Sequence, residues 1–136
     1  MTATPTTVDA ATAVRTGFEA FARGDLEAFA AVFAEDSTWN HRNDDTLGGV
    51  HRGIDAIIAF LNESGRLTAG TLRAVPGTVM TDGGSHVAVV TRVSGTRPDG
   101  RSFDDEQIVH FVVTDGLIRS ADQYIGDPTA VTAFWA

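Results

Sequence analysis

The sequence contains no cysteine and no lysine, and it has one tyrosine among its 136 residues. Without cysteine the chain has no disulfide, no catalytic thiolate and no zinc site built on sulfur. A chain without cysteine is also compatible with a reducing compartment, and we expect a cytoplasmic protein.

Basic charge is scarce as well. The 10 basic residues are all arginines scattered along the chain, against 18 acidic residues, and the net charge is −8. Nucleic acid is therefore not an expected partner, because its phosphates require a basic surface. No run of about 20 apolar residues is present, so we expect no membrane partner, and the first ten residues do not resemble a signal peptide.

The residues that are present predict one globular domain. A length of 136 residues suits one domain, and contents of 43% apolar and 21% charged residues are close to the globular average. We expect residues 1–7 to form a flexible tail and residues 8–136 to form the domain. No glycine-rich phosphate loop follows a strand, so no cofactor is predicted.

Helices are predicted in the first half of the chain, where apolar residues recur at helical spacing. Thr7 is the predicted cap of the first helix, and two further helices follow it. Residues 37–42 alternate as a short strand in which Trp39 and His41 share a face, and residues 43–53 form a loop.

The second half of the chain is predicted to be β-structure. Strands are expected at residues 71–81, 85–94, 103–114 and 117–125, separated by turn sequences that contain Asp-Gly pairs. Because helices and strands occupy separate parts of the chain, the fold class is α+β, with three helices packed on an antiparallel sheet.

The last predicted hairpin gathers polar side chains. With Asp115 and Gly116 as a two-residue turn, regular pairing brings several residues to one face of the sheet. These are Asp105, Gln107, Val109, Phe111, Val113, Ile118, Ser120, Asp122 and Tyr124.

Asp122 is the predicted catalytic acid on this face. A carboxyl group between Phe111 and Tyr124 is poorly hydrated and therefore suited to proton transfer. The alternative is a surface aspartate, or one paired with an arginine for structure. Asp105 is predicted to lie at the mouth of the site or to pair with Arg92.

Five segments together resemble the nuclear transport factor 2-like superfamily, in particular its ketosteroid-isomerase and polyketide-cyclase (SnoaL-like) branches. They are FARGDL (21–26), VFAEDSTW (32–39), HRGIDAI (51–57), VTDGLI (113–118) and Asp127 with AFW (133–135). The resemblance implies a cone-shaped fold, in which the helices and a curved sheet enclose a pocket, and often a homodimer formed through the sheet.

The resemblance also assigns a role to His41. In the ketosteroid-isomerase branch an aspartate general base occupies this position, and imidazole, with a solution pKa of about 6.5, suits the same task. The alternative is a histidine at a strand end that makes one structural hydrogen bond. Gly17 stands where that branch has an oxyanion-stabilising tyrosine, so steroid isomerisation by that mechanism is not implied.

The predicted site therefore combines catalytic and substrate-binding residues and no metal, since the histidine spacing matches no metal motif. His41 and Asp122 are the predicted catalytic pair. The predicted substrate-binding residues are Trp39, Asn40, Asp105, Gln107, Phe111 and Tyr124. Trp39 either walls the pocket or belongs to the core.

These residues predict a cofactor-independent acid/base enzyme that acts on a small, largely apolar molecule. Isomerase, cyclase, dehydratase and epoxide-hydrolase chemistry all fit, and the SnoaL-like resemblance favours secondary metabolism. Epoxide hydrolysis would require Arg92 beside Asp122. The register of the strand that carries Arg92 is ambiguous by one residue, so Arg92 is compatible with either face of the sheet. The alternative function is a non-catalytic small-molecule-binding or dimerisation module.

Overall fold

The computed structural model describes residues 9–136, and within them the chain forms four helices and six strands. In chain order they are α1 (Ala10–Ala22), α2 (Leu26–Ala31), β1 (Phe33–Arg42), β2 (Gly49–Arg52), α3 (Ile54–Leu67), β3 (Arg73–Thr81), β4 (His86–Thr96), β5 (Ser102–Thr114), β6 (Leu117–Tyr124) and α4 (Pro128–Trp135). The predicted α+β fold class is confirmed. The predicted tail and the predicted cap at Thr7 lie outside the described residues. Within residues 9–136 no helix is long and apolar enough to cross a membrane.

Aspartate side chains start the first two helices. The Asp9 carboxylate accepts a hydrogen bond from Thr12 N at the beginning of α1, and Asp25 accepts from Ala28 N at the beginning of α2. Gly24 joins the two helices with a φ of +71°, in the left-handed region that glycine adopts without strain. The two helices therefore form a tight hairpin.

The six strands form one curved sheet in the order β2-β1-β6-β5-β4-β3. Neighbouring strands are antiparallel except β1 and β6, which run parallel, so the sheet is mixed at one place. The short strand β2 lies within the predicted loop of residues 43–53. Along β5, buried and exposed residues alternate from Phe103 to Val113. The buried residues form the inner face, which packs against α1 and α4.

A fourth helix, α4, follows the sheet and was not predicted. Asp127 caps it by accepting a hydrogen bond from Ala130 N. Phe134 and Trp135 are buried, and their rings lie 4.4 and 5.9 Å from the ring of Phe103. The aromatic end of the chain therefore packs on its own sheet.

The turn between β5 and β6 has the predicted form, but the pairing beyond it does not. Asp115 and Gly116 both have positive φ angles, 54° and 74°, as a two-residue hairpin turn requires. Ile118 then pairs with Val113, whereas Ser120 pairs with Val112, so Arg119 is an extra residue. This β-bulge shifts the rest of β6 by one residue and reverses the face of each following side chain.

Candidate active site

A cavity of about 80 Å³ lies between the helices and the inner face of the sheet. Its wall is largely apolar, and its aromatic members come from helices and strands alike: Phe18, Phe21, Phe29, Phe33, Trp39, Phe60, Phe103, Phe111 and Trp135. Pockets for drug-sized ligands measure about 300–1,000 Å³. This cavity therefore fits a much smaller molecule unless its side chains move.

Five polar side chains form a hydrogen-bonded chain along one side of this cavity. His41 Nε2 lies 2.9 Å from Asp45 Oδ2, and His41 Nδ1 lies 3.2 Å from Gln123 Oε1. Gln123 Nε2 donates to Gln107 Oε1 at 2.7 Å, and Gln107 Nε2 donates to Asp105 Oδ2 at 3.1 Å. The chain forms because His41, Gln123, Gln107 and Asp105 all occupy inward positions on neighbouring strands.

Trp39 fixes the direction of these hydrogen bonds. Its indole Nε1–H, which only donates, points at Gln123 Oε1 from 2.9 Å. Gln123 therefore turns its oxygen toward His41, and His41 Nδ1 bonds to that oxygen by donating. Because Nε2 faces the carboxylate of Asp45, both ring nitrogens of His41 face acceptors. Only an imidazolium ion donates a hydrogen bond at both of these contacts.

Asp45 is held as a carboxylate by donors on every side. Asn43 Nδ2 donates to Oδ2 at 2.6 Å and Leu47 N donates to Oδ1 at 2.8 Å, in addition to the contact with His41. Burial raises the pKa of Asp45, but the hydrogen bonds from His41 and Asn43 outweigh it and leave that pKa below its ordinary value. The side chains of His41 and Asp45 are 3% and 0% exposed, so the pair is shielded from water.

Asp105 ends the polar chain and does not pair with Arg92, which corrects one of its two predicted roles. It is buried, and besides Gln107 it accepts hydrogen bonds from the backbone N–H groups of Gly126 and Asp127, both at 3.0 Å. These bonds fix the segment that leads from β6 into α4. Asp105 therefore connects the polar chain to the wall that Trp135 completes.

Asp122 lies outside the cavity, and the prediction that it faces the pocket is wrong. The bulge at Arg119 places Asp122 and Tyr124 on the outer face of the sheet, where Arg42 donates to the Asp122 carboxylate from 3.0 Å. Tyr124 is exposed and lies under the same guanidinium group, 5.1 Å from its ring centre. Asn40, the register partner of Asp122 on β1, also lies outside the cavity wall.

Arg92 also lies on the outer face. It donates to Asp104 at 3.0 Å, and Glu106 lies 3.9 Å away. The side chain of Arg92 is 54% exposed. An aspartate–arginine–aspartate relay of the kind that epoxide hydrolysis would use is therefore not assembled from Asp122, Arg92 and Asp105.

Four of the predicted site residues line the cavity, namely Trp39, His41, Gln107 and Phe111. Their roles toward a ligand stay predictions. Asp45 and Gln123 were not among the predicted site residues. Asp45 lies four residues after His41 in a loop, where neither helical nor strand periodicity predicts that the two side chains meet. Regular pairing would place Gln123 on the outer face of the sheet, and the bulge turns it inward.

Metal ligands are not gathered at this site. Across the described range, residues 9–136, no group of three or more histidine, aspartate or glutamate side chains is arranged to hold a metal ion.

Comparison with known proteins gives the same fold. The SnoaL-like domain matches residues 14–121 of the chain. An uncharacterized protein of Mycobacterium tuberculosis is 32% identical over 123 residues, which cover 90% of this chain and 93% of that protein. Solved structures of NTF2-like proteins and of putative polyketide cyclases share the architecture.

Two further solved structures are similar over almost their whole length. Bal32a, from a soil-derived mobile gene cassette, has a TM-score of 0.88 and 29% identity, covering 93% of this chain and 95% of its own. TerC, which was co-crystallized with polyporic acid, has a TM-score of 0.79 and 21% identity, covering 90% of this chain and 94% of its own.

Proposed function

The chain belongs to the SnoaL-like domain family of the nuclear transport factor 2-like superfamily, and we propose that it is a cofactor-independent enzyme for a small, largely apolar molecule. The observation that carries this proposal is the buried His41–Asp45 pair, whose histidine lies in the wall of a largely apolar cavity. Burying an ionised group costs free energy, so a buried ion pair favours a functional role. Titratable groups with shifted pKa values also cluster at functional sites.

In this proposal His41 supplies a proton, and Asp45 keeps it charged and oriented. A charged donor in an apolar cavity stabilises negative charge that develops on a substrate oxygen far better than it would in water. Negative charge develops on a substrate oxygen during isomerisation and cyclisation, and dehydration removes a substrate oxygen. The outward positions of Asp122 and Arg92 remove the support for epoxide hydrolysis.

Turnover tests the proposal. The purified protein is incubated with small enones, β,γ-unsaturated ketones and β-dicarbonyl compounds, and products are detected by mass spectrometry and NMR. We expect His41→Gln to lower turnover about 100-fold or more, the usual effect of losing a general acid or base. His51→Gln is the matched control, because His51 lies outside the cavity wall, stacks on Phe60 and faces the carbonyl of Leu47.

Non-catalytic binding is the second candidate, and a particular observation favours it. Among the described residues that line the cavity, the polar side chains bond within the protein: Ser64 donates to Phe60 O, Thr91 donates to Val89 O, and His41 has both nitrogens engaged. Compounds that bind without any conversion would support this candidate. Equal turnover by the wild type and His41→Gln would contradict the proposed role of His41.

We also propose that two copies associate through the outer face of the sheet. This face exposes apolar side chains at Val75, Met80, Ile108 and Tyr124. It also carries charges of both signs, such as Arg92 beside Asp104, which suits a self-complementary twofold contact. Sedimentation velocity tests this: the wild type is expected to run as a dimer and Ile108→Lys as a folded monomer, whereas a monomeric wild type would contradict it.

A further inference from the structure

Two buried N–H groups in the cavity wall point at one oxygen atom. Trp39 Nε1 lies 2.9 Å and His41 Nδ1 lies 3.2 Å from Gln123 Oε1. Trp39 and His41 are 9% and 3% exposed, so no bulk water competes for these donors. Two convergent donors at such distances form the geometry that proteins use to hold a carbonyl oxygen.

The atom at this point belongs to a side chain that lines the cavity itself. Gln123 comes from the inner face of β6 and lines the cavity. Rotation of that amide about the terminal side-chain torsions would vacate the position at which the two N–H groups converge. The backbone of β6, fixed by its pairing with β1 and β5, takes no part in this movement.

We propose that the amide oxygen of Gln123 occupies the position of a ligand oxygen, and that the site accepts small apolar molecules that carry one carbonyl group. This inference rests on the proposed function and specifies its ligand class. The carbonyl oxygen replaces Gln123 Oε1 and accepts from Trp39 Nε1–H and His41 Nδ1–H. The hydrocarbon part lies against the apolar wall, whose members include Phe60 and Phe111.

The same geometry determines which molecules are rejected. Both groups at this point donate, so a ligand whose polar atom only donates, such as an ammonium group, meets two donors and the positive charge of His41. A hydrocarbon of the same size fits the wall but leaves the Gln123 amide in place. The site therefore distinguishes a ketone from an alkene by one oxygen atom.

In the wild type the exchange of hydrogen bonds gives a ketone no net advantage. Insertion of the ketone exchanges the two hydrogen bonds to Gln123 Oε1 for two to the ligand, while Gln107 Oε1 loses its donor unless the amide keeps that contact. Gln123→Leu keeps a similar volume and leaves both N–H groups without an acceptor. Since an unpaired buried donor is unfavourable, this variant is expected to raise the ketone-to-alkene affinity ratio about tenfold.

The experiment uses 2-cyclohexenone and cyclohexene as matched probes for the protein labelled with ¹³C and ¹⁵N. The chain has two tryptophans, so the indole N–H signal of Trp39 is assigned by comparison with Trp135→Phe. We expect 2-cyclohexenone to shift the Trp39 indole signal, and cyclohexene to shift methyl signals of the cavity wall while leaving that indole signal unchanged. This measurement needs no change at Gln123.

Titrations with Gln123→Leu give the second readout, and Thr91→Val is its control. Thr91 is a cavity-wall hydroxyl that bonds within its own strand, so its removal is expected to leave the ketone-to-alkene ratio unchanged. If both probes bind with equal affinity and the Trp39 signal stays fixed, the carbonyl site is wrong while the proposed binding cavity stands. If neither probe binds, the proposed function fails together with the inference.

Discussion

Replacing Asp45 by asparagine removes one charge from the buried pair at almost constant volume. Asp45 Oδ2 receives two donors, His41 Nε2 at 2.9 Å and Asn43 Nδ2 at 2.6 Å, while Oδ1 receives Leu47 N. If the asparagine oxygen keeps the bond to Leu47 N, its amide nitrogen faces the two other donors. His41 then releases a proton to become an acceptor, and the bond from Asn43 is lost.

The expected loss of unfolding free energy follows from these contacts. Removing one partner of a buried ion pair lowers stability by about 3–5 kcal/mol when the other charge stays. Because His41 can lose its proton, we expect a loss of about 2–4 kcal/mol, which lies within the range for one or two hydrogen bonds to a charged group. Urea unfolding followed by tryptophan fluorescence measures this loss. The control is Asp44→Asn at the exposed neighbouring position, which is expected to change the free energy of unfolding by less than about 0.5 kcal/mol.

The pH dependence supplies an independent check. The pKa of Asp45 is lowered in the folded protein, so its charge stabilises the fold above the unfolded aspartate pKa of about 3.9. That stabilisation disappears as pH falls through the lower folded value. The part of the stability difference between the wild type and Asp45→Asn that comes from the Asp45 charge is therefore expected to shrink in acid below pH of about 4. Equal stability of Asp45→Asn and Asp44→Asn at neutral pH would refute the reasoning.

Other substitutions test the positions of individual side chains. Asp122→Asn removes only the outer-face ion pair with Arg42, so turnover is expected to stay at the wild-type level and stability to fall by at most about 1 kcal/mol; a turnover loss like that of His41→Gln would restore Asp122 as a catalytic group. Trp135→Ala opens the cavity wall and removes one of the two rings that pack on Phe103, and calorimetry is expected to register a loss of about 3–5 kcal/mol in the free energy of unfolding; an unchanged melting temperature would contradict the packing of α4.

Local patterns in the sequence predicted the elements that depend on local physics. The alternation of β1 predicted that Trp39 and His41 share a face, and both line the cavity. Asp115 and Gly116 predicted a two-residue turn because asparagine, aspartate and glycine tolerate positive φ there. The five segments from FARGDL to AFW together predicted the family, and the match of the SnoaL-like domain to residues 14–121 confirms it.

The composition of the site depended on features that no local pattern encodes. The bulge at Arg119 inserts one residue into β6, and since side chains alternate with period two, it exchanged Asp122 for Gln123 in the cavity wall. Asp45 reaches His41 only because the loop after β1 folds back, held by its bonds to Asn43 and Leu47. A pairing rule that assumes regular strands finds neither residue.

The charge state of His41 is the most direct test of the proposed acid. Long-range ¹H–¹⁵N NMR of the ¹⁵N-labelled protein at neutral pH reports the protonation of each ring nitrogen separately. The hydrogen bonds to Asp45 and Gln123 predict that both nitrogens carry protons in the wild type and that one proton is lost in Asp45→Asn. A wild-type ring with one bare nitrogen would contradict the assignment of His41 as a charged proton donor.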